Sequence, residues 1–458
     1  MSYPAAVSER SSQARRQNAL SLLFFLCAAL AFLLRFTVSP QIMNMVVDYT
    51  ADGGSFYEKL HVGTYAIFLL LPVVLFSRPF LLQGDEIAIF KALLLYSAVI
   101  FALVPYLFIT GRAGSSGFII DTYLVAGAAG LLMLALNAQV RRALGDLVLG
   151  MVVLSAVMGT IEAVTQHRFL PYGLNELQFR PIGLSAHPLA LGALCATVIG
   201  FVPLTNWRIW VRVLAIFVLL VGCAASGARA ALLLAAAETL ILLMFVPWPR
   251  LSLKHQRQAK SVVLLFAVAG GAVLVAILLS GGLLNRFGNT IFDENFMARV
   301  TIYQVFGLVS WKDILFGMNV DDLLAIVNEK LHLPYIESAP VVIIMLFGLP
   351  IAALFIGLVF WFIFRLLRGA LLPAWIGTMT FLLAALSNNA LSSKSPEITI
   401  IVVLLLAYRN DPFRNRQGSI LSTAAASEPT LDRPGQRRLQ TRQPALSTTS
   451  RLPARLSV

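Results

Sequence analysis

Apolar runs long enough to cross ~30 Å of hydrocarbon recur about twelve times along this chain. They fall near 19–38, 62–82, 87–109, 118–137, 147–166, 188–205, 209–226, 229–247, 261–283, 339–364, 370–388 and 396–408. No other feature limits the fold so strongly. A backbone surrounded by lipid must satisfy its own polar groups, and a helix does so within each run. Composition excludes water as the folding solvent: 58% of the 458 residues are hydrophobic and 12% charged, against ~25% charge in an ordinary globular domain. Mean hydropathy is +0.81. The expectation is an all-α, polytopic integral membrane protein of about twelve transmembrane helices.

A net charge of +13 and a pI near 10.0 would suggest nucleic acid as the partner of a soluble chain. The placement of the cations argues otherwise. Nine of the 35 Lys and Arg residues lie in the tail from Arg409 onward, and most others sit in short connections between apolar runs. That is an orientation signal and not a nucleic-acid footprint. With the N-terminus inside, cytoplasmic segments hold 24 of the 35 cations, among them Arg78, Arg141, Arg142, Arg208, Arg212, Arg365 and Arg368. Both termini are then cytoplasmic. The first run follows Arg10, Arg15 and Arg16 as a secretory signal would. It is too long for an h-region and lacks a small-x-small cleavage site, so it reads as a retained helix. The chain divides into a cytoplasmic segment 1–18, a transmembrane domain 19–408 and a disordered basic tail 409–458. Cys27, Cys195 and Cys223 all fall inside apolar runs and form neither a disulfide framework nor a metal-ligand spacing.

Four segments then face outward: 39–61, 166–188, a large loop at 284–338, and the polar turn Ser387 to Glu397. The large loop, between the ninth and tenth runs, is far longer than a helix connection needs. Within it, the stretch from Asn319 places Leu323, Val327 and Leu331, with Leu324, on one helical face. Such a helix lies on the membrane surface or roofs a cavity.

Arginines on the outer side lack the topological explanation that the inner ones have. Arg229 stands in Ala-Ser-Gly-Ala-Arg-Ala-Ala-Leu-Leu, where two apolar spans meet with almost no polar turn. A cation there costs several kcal/mol unless it meets an aqueous cavity, a partner or an anion, or snorkels to the headgroups. Arg299 lies in the large loop, with Asp293 and Glu294 as alternative ion-pair partners. Arg180 belongs to the turn-rich stretch Arg180-Pro-Ile-Gly-Leu-Ser-Ala-His187-Pro188, where it could equally be a solvated loop residue. Arginine grips phosphate best, because its planar fork donates two parallel charge-assisted bonds. Glu337 closes the large loop, either as a general base at a half-desolvated cleft or as an acid favoured by a helix N-terminus, with Ser338 capping. Glu162 and His167 are weaker candidates. Metal and nucleotide sites are not legible, so no cofactor is expected. Asp321 and Asp322 lie on the surface-helix pattern and read as solvation.

The order of these features resembles the O-antigen ligase and Wzy-type polysaccharide polymerase superfamily. Four stretches carry the resemblance. Ser-Gly-Ala-Arg229-Ala-Ala-Leu-Leu is similar to the family's Ser-Arg-Gly/Ala-x-Leu element, with Ala228 where serine is usual. Arg299 is similar to its second arginine. Arg180-Pro-Ile-Gly183 with His187-Pro188 is similar to its Arg-x-x-Gly and Pro-Asn stretch, with Leu189 for the asparagine. The ligase signature of His, Ser or Asn, nine residues and Gly appears as Glu337-Ser338, nine residues and Gly348. An acid in place of that histidine favours a polymerase-like member.

The resemblance implies a GT-C-like membrane glycosyltransferase of the bacterial inner membrane, independent of metal and nucleotide. It implies polymerisation of polyprenyl-diphosphate-linked oligosaccharide repeat units at the periplasmic face into surface polysaccharide or exopolysaccharide. Glu337, Arg229 and Arg299 would be catalytic, and Arg180, Arg229, Arg299 and His187 would bind substrate. Besides the lipid-linked substrate and membrane lipid, a chain-length regulator and a flippase are implied partners. Transfer of finished polymer to lipid A core is the alternative within the family. A twelve-helix secondary transporter is the alternative outside it, although no symmetry between halves and no matched pair of broken helices is legible.

Overall fold

The structure is a computed structural model that describes residues 4–50, 56–77, 82, 84–173, 179–246, 255–258, 260–261, 264–265, 294–336, 338–386 and 390–409. The expected span 261–283, the opening of the large loop, Glu337 and the tail beyond Arg409 lie largely or wholly outside the described residues.

Helices α1 (Pro4–Thr37), α2 (Val62–Ser77) and α3 (Asp85–Ile109) open the bundle. A π-helical turn, Ile119–Leu124, leads into α4 (Val125–Ala135), followed by α5 (Ala138–Thr165) and α6 (Pro188–Ile199). Next come α7 (Ile209–Ala225), α8 (Arg229–Phe245), α9 (Glu294–Thr301), α10 (Trp311–Phe316) and α11 (Val320–Leu331). Helices α12 (Ala339–Phe347), α13 (Leu349–Leu367), α14 (Leu372–Leu386) and α15 (Glu397–Ala407) complete it. The described residues contain no strand. Five helical segments among them are long and apolar enough to cross a membrane: Gln17–Thr37, Asp85–Ile109, Ala113–Ala135, Ala138–Thr165 and Leu349–Leu367. The chain is an all-α membrane protein.

Residues on the outside of the bundle explain why lipid is its solvent. Along α1, Phe24, Ala28, Ala31 and Phe32 are buried, while Leu22, Leu26, Leu30 and Leu33 on the other side are exposed. A water-facing helix would be polar on that second face; from Leu22 to Leu34 this one is apolar all round. At the centre, every residue of α4 and of α15 is buried, and the two helices pack on each other. The apolar run 396–408, short as it is, forms the middle of the core.

One expected span is not continuous. The run 339–364 divides at Gly348 into α12 and α13, because Gly348 adopts φ +80°, outside the helical region, and Pro350 begins the next helix. The surface helix of the large loop forms as α11, with Leu323 and Val327 fully buried, and packs on α12 together with Ile302, Val305 and Met345.

Charged connections meet in two groups. At one end Arg141 pairs with Glu86 at 2.6 Å, Arg142 donates to Leu204 O and Asn206, and Arg409 donates to Leu366 O. At the other, Lys394 donates to Tyr49 O and Lys59 O, Gln41 to Ala186 O, and Arg112 to Phe316 O and Gly317 O. Among the described residues, the bonds named here join segments that the charge pattern assigns to the same side.

Candidate functional site

The second group surrounds a buried carboxylate. Asp121 sits in the π-helical turn, a geometry that widens a helix and recurs at functional sites. It is fully buried, and accepts bonds from Tyr49 Oη at 2.7 Å and from the His61 backbone N–H at 3.1 and 3.2 Å. Arg35, 3% exposed in the last turn of α1, donates to Asp121 O at 2.6 Å. Lys394 lies over the Tyr49 ring at 3.9 Å. Burial, with Lys59 adding to it, lowers the Lys394 ammonium to about 8 despite the opposing pull of Asp121. His61 accepts from Gly63 N–H on Nδ1, so Nε2 carries the proton donated to Val38 O at 2.8 Å. Burial, then Arg35, holds its ring down to about 3, so it is neutral.

Beside this cluster lies a cavity of ≈ 110 Å³, lined by Arg35, Ser39, Ser155, His187, Lys394 and Glu397 among others. Glu397 is 1% exposed, and neither of its carboxylate oxygens has a hydrogen-bond partner. A buried acceptor in that state is costly unless a ligand or water supplies donors. Three segments assigned outward by charge, 39–61, 166–188 and 387–397, converge here.

The stretch Arg180 to His187 runs from this cavity to a second polar locus. Glu162, fully buried in α5, receives N–H bonds from Ile182 and Gly183 at 2.8 Å and from Phe169 at 3.0 Å. Its role is to anchor the loop, which answers the question its position raises. Gly183 has φ +56°, and a side chain there would collide with Ser155 O. At the loop's cavity end His187 caps α6, its Nδ1 accepting from Leu189 N–H at 3.1 Å, with Pro188 at the helix start. Burial, then Arg180 and Arg168, lowers the His187 ring to about 4. At its other end Arg180 Nε donates to Ser226 O at 3.2 Å. Arg168 braces the same point: it donates to Arg180 O at 2.9 and 3.0 Å and lies over the rings of Tyr172 and Phe179.

Ser226 O belongs to the turn that ends α7 and leads to Arg229, so Arg180 is joined to the Arg229 turn. Arg229 is half-buried in the first turn of α8, whose N-terminus is the unfavourable end of a helix dipole for a cation. Its location is therefore not explained by the helix it begins.

Arg299 is half-buried in the last turn of α9. Glu337 lies outside the described residues, but its neighbour Ser338 is buried and donates to Tyr303 Oη at 3.3 Å, one turn beyond Arg299. Ser338 stands at the start of α12 without capping it through its side chain. The nine residues between Ser338 and Gly348 are helix α12, so the spacing noted in the sequence measures a half-helix. The residues that the charge pattern assigns outward thus fall into two pairs of stretches, 180 with 226–229, and 299–303 with 338. His167 is exposed, as are Asp321 and Asp322.

Arg35, Asp121, His61, Lys394 and Glu397 carry no motif that singles them out in the sequence. A signal for two of them was present: Arg35 and Asp121 are ionisable residues inside the apolar runs 19–38 and 118–137, where such residues are expensive and mark function. Among the described residues no three His, Cys, Asp or Glu side chains group as a metal ion would require. No protein-family model matches the chain, and no curated protein matches it.

Proposed function

We propose that this chain is a glycosyltransferase of the bacterial inner membrane, with about twelve transmembrane helices and both termini cytoplasmic. Its reaction is polymerisation of polyprenyl-diphosphate-linked oligosaccharide repeat units at the periplasmic face. The observation that carries the reading is the bond from Arg180 to Ser226 O. It joins two stretches 46 residues apart that the family resemblance singled out separately. An arginine-bearing loop docked on an arginine-bearing turn suits a diphosphate leaving group, whose charge grows as the glycosidic bond breaks.

In this mechanism an acceptor sugar hydroxyl attacks the anomeric carbon of the donor. The carbon–oxygen bond to the diphosphate breaks, and the bond pair leaves with the diphosphate. Arg229 and Arg299, with Arg180, bind that charge, while Glu337 takes the hydroxyl proton. Helix α11 and its neighbours roof the site and exclude water that would hydrolyse the donor. Deleting the gene should cause single lipid-linked repeats to accumulate, read by mass spectrometry of extracted lipids. Accumulation of carrier-linked polymer would assign the ligase reaction instead. Normal full-length polymer would overturn both.

The break at Gly348, with Glu397 and Glu238 buried in the bundle, favours a second reading as a secondary transporter. Flux of sugar or ions in proteoliposomes, lost on Glu397→Gln, would establish it.

A further inference from the structure

The opposite end of the bundle carries a groove of ≈ 740 Å³ between α3 and α13. One wall is Gly84, Ile87, Ala88, Lys91 and Leu95; the other is Trp361, Phe364, Arg365 and Arg368. Each set follows helical spacing, so two single faces of neighbouring helices make the groove. Its chemistry is graded along the bundle axis. Lys91, Arg365 and Arg368 lie toward the helix ends, while Leu95 and Trp361 lie about a turn deeper. Lys91, Arg368, Leu95, Trp361 and Phe364 are exposed.

A positive-inside bias predicts cations at this end but does not predict how they are used. Most others here are engaged by protein. Arg141 holds Glu86, Arg142 holds Leu204 O and Asn206, Arg212 donates to Thr205 O, and Arg409 holds Leu366 O and Asp85. Of the acids nearest the groove in sequence, Glu86 is bonded by Arg141 and the exposed Asp85 lies 3.7 Å from Arg409. Among the described residues no carboxylate pairs with Lys91, Arg365 or Arg368.

Three cations that pair with no carboxylate among the described residues, at the mouth of an apolar, aromatic-walled groove, match one kind of occupant. We infer that the α3–α13 groove binds an anionic glycerophospholipid, its phosphate held by Lys91, Arg365 and Arg368 and an acyl chain lying along Leu95, Trp361 and Phe364. Basic pockets between transmembrane helices recognise headgroups in this way, with attraction to the anionic surface adding to each contact. Aromatic rings at the interface fix the depth of the lipid. The inference concerns the end of the bundle away from the cavity and does not depend on the proposed reaction.

The test uses the full chain reconstituted in vesicles of phosphatidylglycerol and phosphatidylcholine, released into native mass spectrometry. The wild type should retain phosphatidylglycerol in preference to phosphatidylcholine. Arg365→Gln with Arg368→Gln should lower that retention on the order of twentyfold. Lys312→Gln with Lys330→Gln, an equal charge loss in the outer loop, should leave it unchanged. Ala88→Phe keeps every cation but fills the groove, so it should also lose the lipid, and it decides the matter if the arginine variant does not fold. No preference in the wild type, or equal loss in the Lys312 and Lys330 variant, would overturn the site. So would retention by Ala88→Phe, or displacement of the lipid by inorganic phosphate.

Discussion

His61 and His187 each use Nδ1 to accept a backbone N–H, and that single bond fixes the tautomer and disfavours the imidazolium. Their folded values, about 3 and about 4, lie below the ~6.5 of an unfolded chain. Between those limits the unfolded chain binds protons that the folded protein refuses. Stability is therefore full above pH ~6.5 and is lost as pH falls toward the folded values. Thermal unfolding in detergent should show a falling midpoint from pH ~7 to ~4, and His187→Asn, which keeps a capping side chain, should flatten part of that slope. An unchanged slope in the variant would remove His187 from the effect. For activity, Arg229→Lys should fail because an ammonium keeps the charge and loses the fork, and Glu337→Gln should lower turnover ~10²-fold or more. Normal polymer from Glu337→Gln would leave the arginines to carry the mechanism alone. At this scale the outer arginines were legible because they break a local rule. The partners of Asp121 were not, since Tyr49, His61 and Lys394 are 72, 60 and 273 residues away from it in sequence.

Helix α12 is nine residues long, and both of its ends are specified by contacts. At its C-terminus Arg112 donates to Leu346 O at 2.7 Å, and to Phe316 O and Gly317 O at 2.9 and 2.8 Å, so one guanidinium closes the ends of α10 and α12 together. A cation at two helix C-termini also meets the negative end of each dipole. Gly348 then turns the chain with φ +80°, where a Cβ would collide with Leu315 O. Gly348→Ala should destabilise by more than ~1 kcal/mol and loosen α10 from the break, seen as faster hydrogen exchange over 311–318 and 339–347. Unaltered exchange there would show that the break does not hold α10 in place. Hydropathy could not foresee this division. The run 339–364 is apolar throughout; Gly348 and Pro350 permit a break in it, and the close approach of α10 fixes Gly348 as the turn. The helix α11, by contrast, was legible from period alone, because its buried Leu323 and Val327 are four apart on one face.

For the molecule as a whole, the two groups of charged connections predict sidedness. On a Cys27→Ala background, with Cys195 and Cys223 buried, a membrane-impermeant maleimide should label Gly114→Cys in intact cells. Arg208→Cys should label only after permeabilisation. The reverse pattern would invert the topology while leaving the fold intact. The sequence by itself determined the solvent and the class of fold, and its cations assign each connection to an expected side. Those depend on hydrophobicity summed over ~20-residue windows and on the number of cations between them, and both are local quantities. It also marked Arg180 and Arg229 as separate anomalies. Tertiary structure alone decided that Arg180 bonds the turn leading to Arg229, that Asp121, Arg35 and Lys394 gather beside one cavity, and that Glu162 anchors a loop. Helices of similar apolar character can pack beside one another in many orders with little difference in lipid exposure. Which polar residues meet is settled by the few buried hydrogen bonds and close glycine approaches that a single packing can satisfy at once.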